Sequence, residues 1–140
     1  MIVRLLILLL LTRIPLVGDA EQDITEVVST LAAALSDNNA PRFLKILDPA
    51  MPAYRQLEHD VTSLMSDTLI GCSVDLIGNT GADTAQQADL DWYMVLSSKH
   101  DTNLIERRRT KVTIKIEKRG KKWIVTAFNP VSIFTPMVPK

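Results

Sequence analysis

Between Ala88 and Phe128 the chain alternates apolar and polar residues along two long runs, turns on a lysine-rich segment, and alternates again up to Asn129-Pro130. A two-residue period is the mark of β-strands with one buried and one solvated face, and a helix cannot satisfy it. Three such runs joined by short connections predict an antiparallel sheet with a single core face. That face needs an apolar cover, and the segments before it have helical periodicity instead.

Ile24, Val27, Val28, Leu31 and Leu35 recur at helical spacing. They predict a first helix that starts at an Asp23 N-cap, with Glu26 three residues on, and runs to about Ser36. Asp37-Asn38-Asn39 breaks the pattern, after which Ala40-Pro41 opens a short second helix whose apolar side is Phe43, Leu44 and Leu47. Asp48-Pro49 stops that helix, because the residue before proline is pushed out of the α region. A third helix can begin at Pro52, with Tyr54, Leu57, Val61 and Leu64 on one face and Arg55, Glu58 and His59 between. His59 has no nucleophile or second histidine near it in sequence and reads as an ordinary helix residue.

From Thr68 the period changes. Leu69 to Ile77 predicts a strand that ends in a turn at Gly78-Asn79-Thr80-Gly81. In the next strand Ala88, Leu90, Trp92, Met94 and Leu96 face the core, opposite to Asp89, Asp91, Tyr93 and Val95. In the third, Val112, Ile114 and Ile116 face the core, with Arg107, Arg109, Lys111, Thr113 and Lys115 outward. Matching the core faces fixes the parity of the pairing. A loop centred on His100 then sets Trp92 opposite Arg108, Asp91 opposite Arg109 and Asp89 opposite Lys111. The last hairpin, turning at Arg119-Gly120, sets Ile116 opposite Trp123, Ile114 opposite Val125 and Val112 opposite Ala127. The outer face would collect Tyr93, Val95, Ile124 and Phe128, an apolar group suited to a homodimer. Val131 to Phe134, bounded by Pro130 and Pro136, is expected to fold back on the sheet.

Residues 1–20 stand apart from this plan. A positive start at Arg4, the apolar run Leu5 to Leu11, and small residues at Gly18 and Ala20 make the pattern of a signal peptide cleaved before Glu21. Arg13 and Pro15 interrupt the run well short of the ~20 residues a membrane span needs. The expectation is an exported protein, periplasmic or secreted, with no stable membrane insertion after cleavage and one domain over residues 21–140. Cys72 is the only cysteine, so no intramolecular disulfide can form. Beside Ile70 and Val74 it reads as a small buried apolar residue. Lacking Cys-x-x-Cys or a Cys/His cluster, the sequence predicts neither a metal nor another cofactor.

Charge is segregated along the chain. Residues 21–105 hold 13 acids against 4 Lys/Arg, and residues 106–140 hold 2 against 10. The two parts should attract each other. The basic stripe of the third strand faces acids of the second, which weakens the field a polyanion would feel, and no aromatics interleave with it. No nucleic-acid partner is expected.

Three helices followed by a bent antiparallel sheet make an α+β cone. Asp91-Trp92, Glu106-Arg107-Arg108, and the hairpin Gly120-Lys121-Lys122-Trp123-Ile124-Val125 closing on Asn129-Pro130 and Phe134 resemble small exported bacterial proteins of the nuclear transport factor 2-like, cystatin-like superfamily. The resemblance covers the chain from the first helix to Phe134. It implies a cone whose interior, between helices and sheet, can hold a small apolar ligand. Isomerases, cyclases and dehydratases of that superfamily use aspartate or histidine as base and tyrosine or an acid as donor in this cone. Here the core face carries no aspartate, and only Tyr54, Glu106 and Arg108 can be aimed at the mouth. The candidate pocket is therefore Tyr54, Trp92, Glu106, Arg108 and Trp123. The favoured reading is a non-catalytic domain binding a small apolar ligand or a partner. The alternatives are an isomerase- or cyclase-type enzyme, with Glu106 as base and Arg108 or Tyr54 steadying an oxyanion, and a purely structural protein with a filled cone.

Overall fold

The computed structural model describes residues 16–137. Residues 1–15, the larger part of the expected signal peptide, lie outside the described residues. Three helices, α1 (Leu16–Ser36), α2 (Ala40–Lys45) and α3 (Tyr54–Asp67), precede four strands, β1 (Thr68–Ala82), β2 (Ala85–Ser98), β3 (Ile105–Arg119) and β4 (Lys122–Asn129). A 3₁₀ turn, Val131–Phe134, follows a cis Asn129–Pro130 bond. The strands form one antiparallel sheet in the order β1-β2-β3-β4. This is the α+β plan expected from the sequence.

The first helix differs at its start. It is already helical at Leu16, so Asp23 lies inside it and is no cap. About two helical turns precede it, and a capping residue ends a helix only where the preceding chain leaves it. α2 is capped as its sequence suggests: the Asn39 side chain accepts from the Arg42 N–H at 3.1 Å, and proline sits in the first turn. α3 buries Leu57, Val61 and Leu64. Lys99 closes its C-terminal end, donating to the Met65 carbonyl at 2.9 Å, where a cation meets the negative end of the helix.

Three details of the sheet depart from the sequence reading. β1 does not turn at Gly78-Asn79-Thr80-Gly81 but runs through it, with a bulge at Ile77, and the hairpin turns at Asp83-Thr84. Gly81 makes this possible: its φ is 144°, and a Cβ there would clash with the Ala85 carbonyl oxygen. The β2–β3 loop centres on Asp101 rather than His100, so Trp92 pairs with Thr110, Asp91 with Lys111 and Asp89 with Thr113. The slip is two residues, and each side chain keeps its face.

The β3–β4 hairpin turns at Gly120-Lys121, with Gly120 at φ 66°, and pairs Lys118 with Trp123 and Ile116 with Val125. An extra residue, Thr126, then shifts the register, so that Lys115 faces Ala127 and Ile114 faces Phe128. The bulge turns Phe128 inward, against the expectation that it lies on the outer face; it is 5% exposed.

The core lies between the helices and the concave face. Trp92, Phe43, Phe134, Leu31, Leu35, Leu57, Leu64, Leu90 and Met94 are fully buried. Asp60 is the one buried acid among the described residues, and the Gln56 amide one turn earlier donates to both of its oxygens at 3.0 Å.

Candidate functional site

The five candidate residues do not form one pocket. Trp92 is at the bottom of the cone, where its ring meets Phe128 edge-on at 5.3 Å and Phe134 at 5.8 Å. Phe134 also contacts Phe43 edge-to-face at 5.5 Å. Four aromatic rings thus occupy the space between helices and sheet, in the offset geometries that aromatic quadrupoles prefer. The C-terminal turn supplies one of them, as the bounding prolines suggested it would. The Trp92 Nε1–H is buried and has no hydrogen-bond partner among the described residues.

Glu106 and Arg108 do come together. Alternate residues of β3, they share the concave face, and the Arg108 guanidinium donates to the Glu106 carboxylate. Arg108 Nη1 also donates to the Ile133 carbonyl oxygen at 2.8 Å. The arginine thereby latches the 3₁₀ turn down, and Glu106 serves as its counter-ion. Tyr54 opens α3, half-buried, with its hydroxyl 3.4 Å from Glu58. Partial burial, and then the Glu58 charge, hold that phenol above its ordinary range. The phenol therefore stays protonated at neutral pH.

Trp123 lines a different feature. A cleft of about 440 Å³ opens where the middle of α1, from Asp23 to Thr30, faces the β3–β4 hairpin, with Val27, Ile46, Trp123 and Ile124 as its apolar surface and lysines around it. Pairing alone could not reveal this cleft, because it forms between elements distant in sequence. The signal that was available is the run of lysines flanking one tryptophan. Cys72 is half-buried, and burial pushes its thiol up to about 12, which keeps it protonated and inert at neutral pH.

On the convex face the expected acid–base pairs form, though between diagonal rather than opposite neighbours. Arg109 holds Asp91 through two hydrogen bonds, at 3.1 and 2.7 Å, and Lys111 lies 3.8 Å from Asp89. The Arg109 hydrogen bond keeps the Asp91 carboxyl below its usual range. The apolar residues of this face are Tyr93 and Val95, half-buried, with Leu69, Ile77 and Ile105 more than half exposed. Among the described residues there is no helix long and apolar enough to cross a membrane and no cluster of three potential metal ligands.

No family model and no curated protein matches this sequence. Solved structures do match in shape. A conserved protein from Planctomyces limnophilus superposes with a TM-score of 0.71 at 7% identity, over 79% of this chain and 94% of that one. A nuclear transport factor 2-like superfamily protein from Salmonella enterica serovar Typhimurium gives 0.63 at 13% identity, over 80% and 89%. A proposed scytalone dehydratase from Novosphingobium aromaticivorans gives 0.69 at 8% identity, over 81% and 83%. At such identities the likeness speaks for the backbone and not for the chemistry. Three helices on the concave side of a bent four-stranded antiparallel sheet, shared with these proteins along most of their length, give this chain the nuclear transport factor 2-like fold.

Proposed function

We propose that this chain is an exported, non-catalytic binding domain that works as a homodimer through the convex face of its sheet. The observation that carries the proposal is a row of apolar side chains on that face. Leu69 and Ile105 flank Ser97 on three adjacent strands, with Val95 two residues along, and they are 58% and 51% exposed. Two large apolar side chains left exposed on either side of a small serine offer a surface for association. A two-fold axis lying in the plane of the face would bring each Leu69–Ile105 row against its copy. Phe128 has no part in this surface, and Ile124, only half-buried, lies on another strand at the far end of β3.

The non-catalytic reading rests on the interior. General acid–base chemistry needs a titratable group facing a space that substrate can enter. Here Phe134 fills that space and Glu106 is committed to Arg108, which disfavours a dehydratase- or isomerase-like role. The apolar run and small residues of segment 1–20 support export. Sedimentation equilibrium on protein purified from its host should give a dimer at about 10 µM, the range of ordinary homodimers, and Leu69→Lys with Ile105→Lys should give a folded monomer. A wild-type monomer at that concentration would overturn the proposal.

One observation favours a second reading. The unpartnered Trp92 Nε1–H is a donor waiting for an acceptor. A small apolar ligand with one oxygen could reach it if the 3₁₀ turn swung out, taking the place of Phe134.

A further inference from the structure

The cleft beside Trp123 has the makings of a second site, separate from the cone and independent of dimer pairing. Trp123 pairs with Lys118, four residues along β3 from the Ile114–Phe128 pair that borders the aromatic core. The hairpin there is held along β3 by the β1–β2 turn, where the Lys118 N–H donates to the Thr84 carbonyl at 2.8 Å, and on one side by the end of α2 and the connection after it. The Val125 N–H donates to the Ile46 carbonyl at 2.9 Å, the Asp48 N–H to the Val125 carbonyl at 2.9 Å, and Arg119 reaches Asp48 at 2.6 Å. The other side stands off from α1, and this gap is the cleft. Its volume of about 440 Å³ lies within the ~300–1,000 Å³ of small-molecule sites.

Two properties define what would fit. The surface is apolar and rigid: Val27 is buried in the core, and Trp123, Ile46 and Ile124 are each half-buried. The rim is charged and asymmetric. Lys118, Lys121 and Lys122 stand on the hairpin and Lys45 at the end of α2, whereas Asp23 and Glu26 line the α1 side. None of these six takes part in an ion pair among the described residues. Arg119, in the same turn, is by contrast held by Asp48 and Glu117. Four uncommitted ammonium groups on the hairpin and α2, with carboxylates on the α1 side of the cleft, attract an anion and turn its charged end toward the hairpin.

We propose that this cleft binds a small single-headed anionic amphiphile, its apolar body against Trp123, Val27 and Ile46 and its carboxylate among Lys45, Lys121 and Lys122. Lysine suits a mobile carboxylate that needs charge rather than a fixed bidentate fork. The half-buried indole supplies a flat apolar wall with little rotamer entropy to lose.

The test is calorimetric titration of protein purified from its host with decanoate, kept below its micelle-forming concentration, alongside decyltrimethylammonium as the cationic control. The expected result is saturable decanoate binding tighter than about 1 mM, with a change in tryptophan fluorescence that disappears in Trp123→Phe. Lys121→Glu with Lys122→Glu should weaken binding by about tenfold or more, and added salt should weaken it as well. These lysines are exposed, so the variant should fold; Lys122→Ala, with a smaller loss, serves as the milder check. Equal affinity for the cationic control, or decanoate binding that ignores the lysine substitutions, would overturn the proposal. So would association only with phosphatidylglycerol vesicles and none with monomeric decanoate, which would make the lysines a membrane-facing patch.

Discussion

At the scale of single residues, Asp48 holds more together than its place in a loop suggests. Its carboxylate accepts the Ala50 N–H at 2.9 Å and Arg119 Nη2 at 2.6 Å, while its own N–H donates to Val125. It joins the α2–α3 connection to β4 and to the turn end of the β3–β4 hairpin, which is also one wall of the cleft. The Ala50 N–H, and then Arg119, hold its carboxyl below the usual aspartate range, as Arg109 does for Asp91. A folded-state value below the unfolded one, about 3.9, means stability that is fully present above that value and lost as pH falls through the folded value. Tm should therefore be nearly level from neutral pH down to about 5 and drop below about 4. Thermal melts of Asp48→Asn with Asp91→Asn should show a lower plateau and a shallower acid decline. An acid decline as steep as that of the parent protein would show that other carboxylates govern it.

At the scale of elements, the C-terminal 3₁₀ turn closes the cone. Phe134 inserts between Phe43, Trp92 and Phe128, and Arg108 ties down the Ile133 carbonyl. Phe134→Ala should cost about 3–5 kcal/mol in urea unfolding, the range for a fully buried phenylalanine. The same variant should take up a small aromatic such as indole in the vacated space, because an apolar cavity of that size stays dry and open to apolar guests. Loss of stability without uptake would mean that the neighbouring rings collapse inward.

The turn's return to the sheet could be read from its sequence, between two prolines after a strand. The helices and the face assignments of β2 and β3 could be read as well, since Trp92 or Val112 on the wrong face would expose an entire row of side chains. Registers were less legible. Pairings two residues apart bury the same faces, and the choice lies in the β2–β3 loop, where Asp101 accepts the Asn103 N–H at 3.0 Å. The Thr126 bulge was not legible at all. One extra residue reversed Phe128, and nothing local in Thr126-Ala127 announces it; the need to fill the space beside Trp92 decides it. For the candidate site, the shared face of Glu106 and Arg108 followed from parity, but their ion pair and the Arg108 bond to Ile133 depend on side-chain geometry and on the tertiary path of the tail.

At the scale of the molecule, the segregated charge of the chain becomes an ordering force. Residues 21–105 are strongly acidic and residues 106–140 strongly basic. The fold threads the basic part through the acidic one: β3 lies against β2, and the β3–β4 hairpin against the α2–α3 connection. The ion pairs Arg109–Asp91, Lys111–Asp89 and Arg119–Asp48 all join the two parts. Each is solvated, so each contributes little by itself. They share one sign of salt dependence, however, and the long-range attraction between the two parts adds to them. Raising NaCl from about 10 mM to 500 mM shortens the screening length from about 30 Å to below 10 Å. Tm at pH 7 should then fall by about 2–6 °C for a domain of this size. Chloride at these concentrations acts mainly by screening, so a similar fall with KCl is expected. Replacing Asp48, Asp89 and Asp91 together by asparagine should lower Tm at low salt and flatten the response, because the screened pairs are then already gone. If Tm instead rises with salt in the parent protein, repulsion within the acidic helices and within the basic hairpin outweighs the attraction between them, and the charge segregation does not help to order the fold.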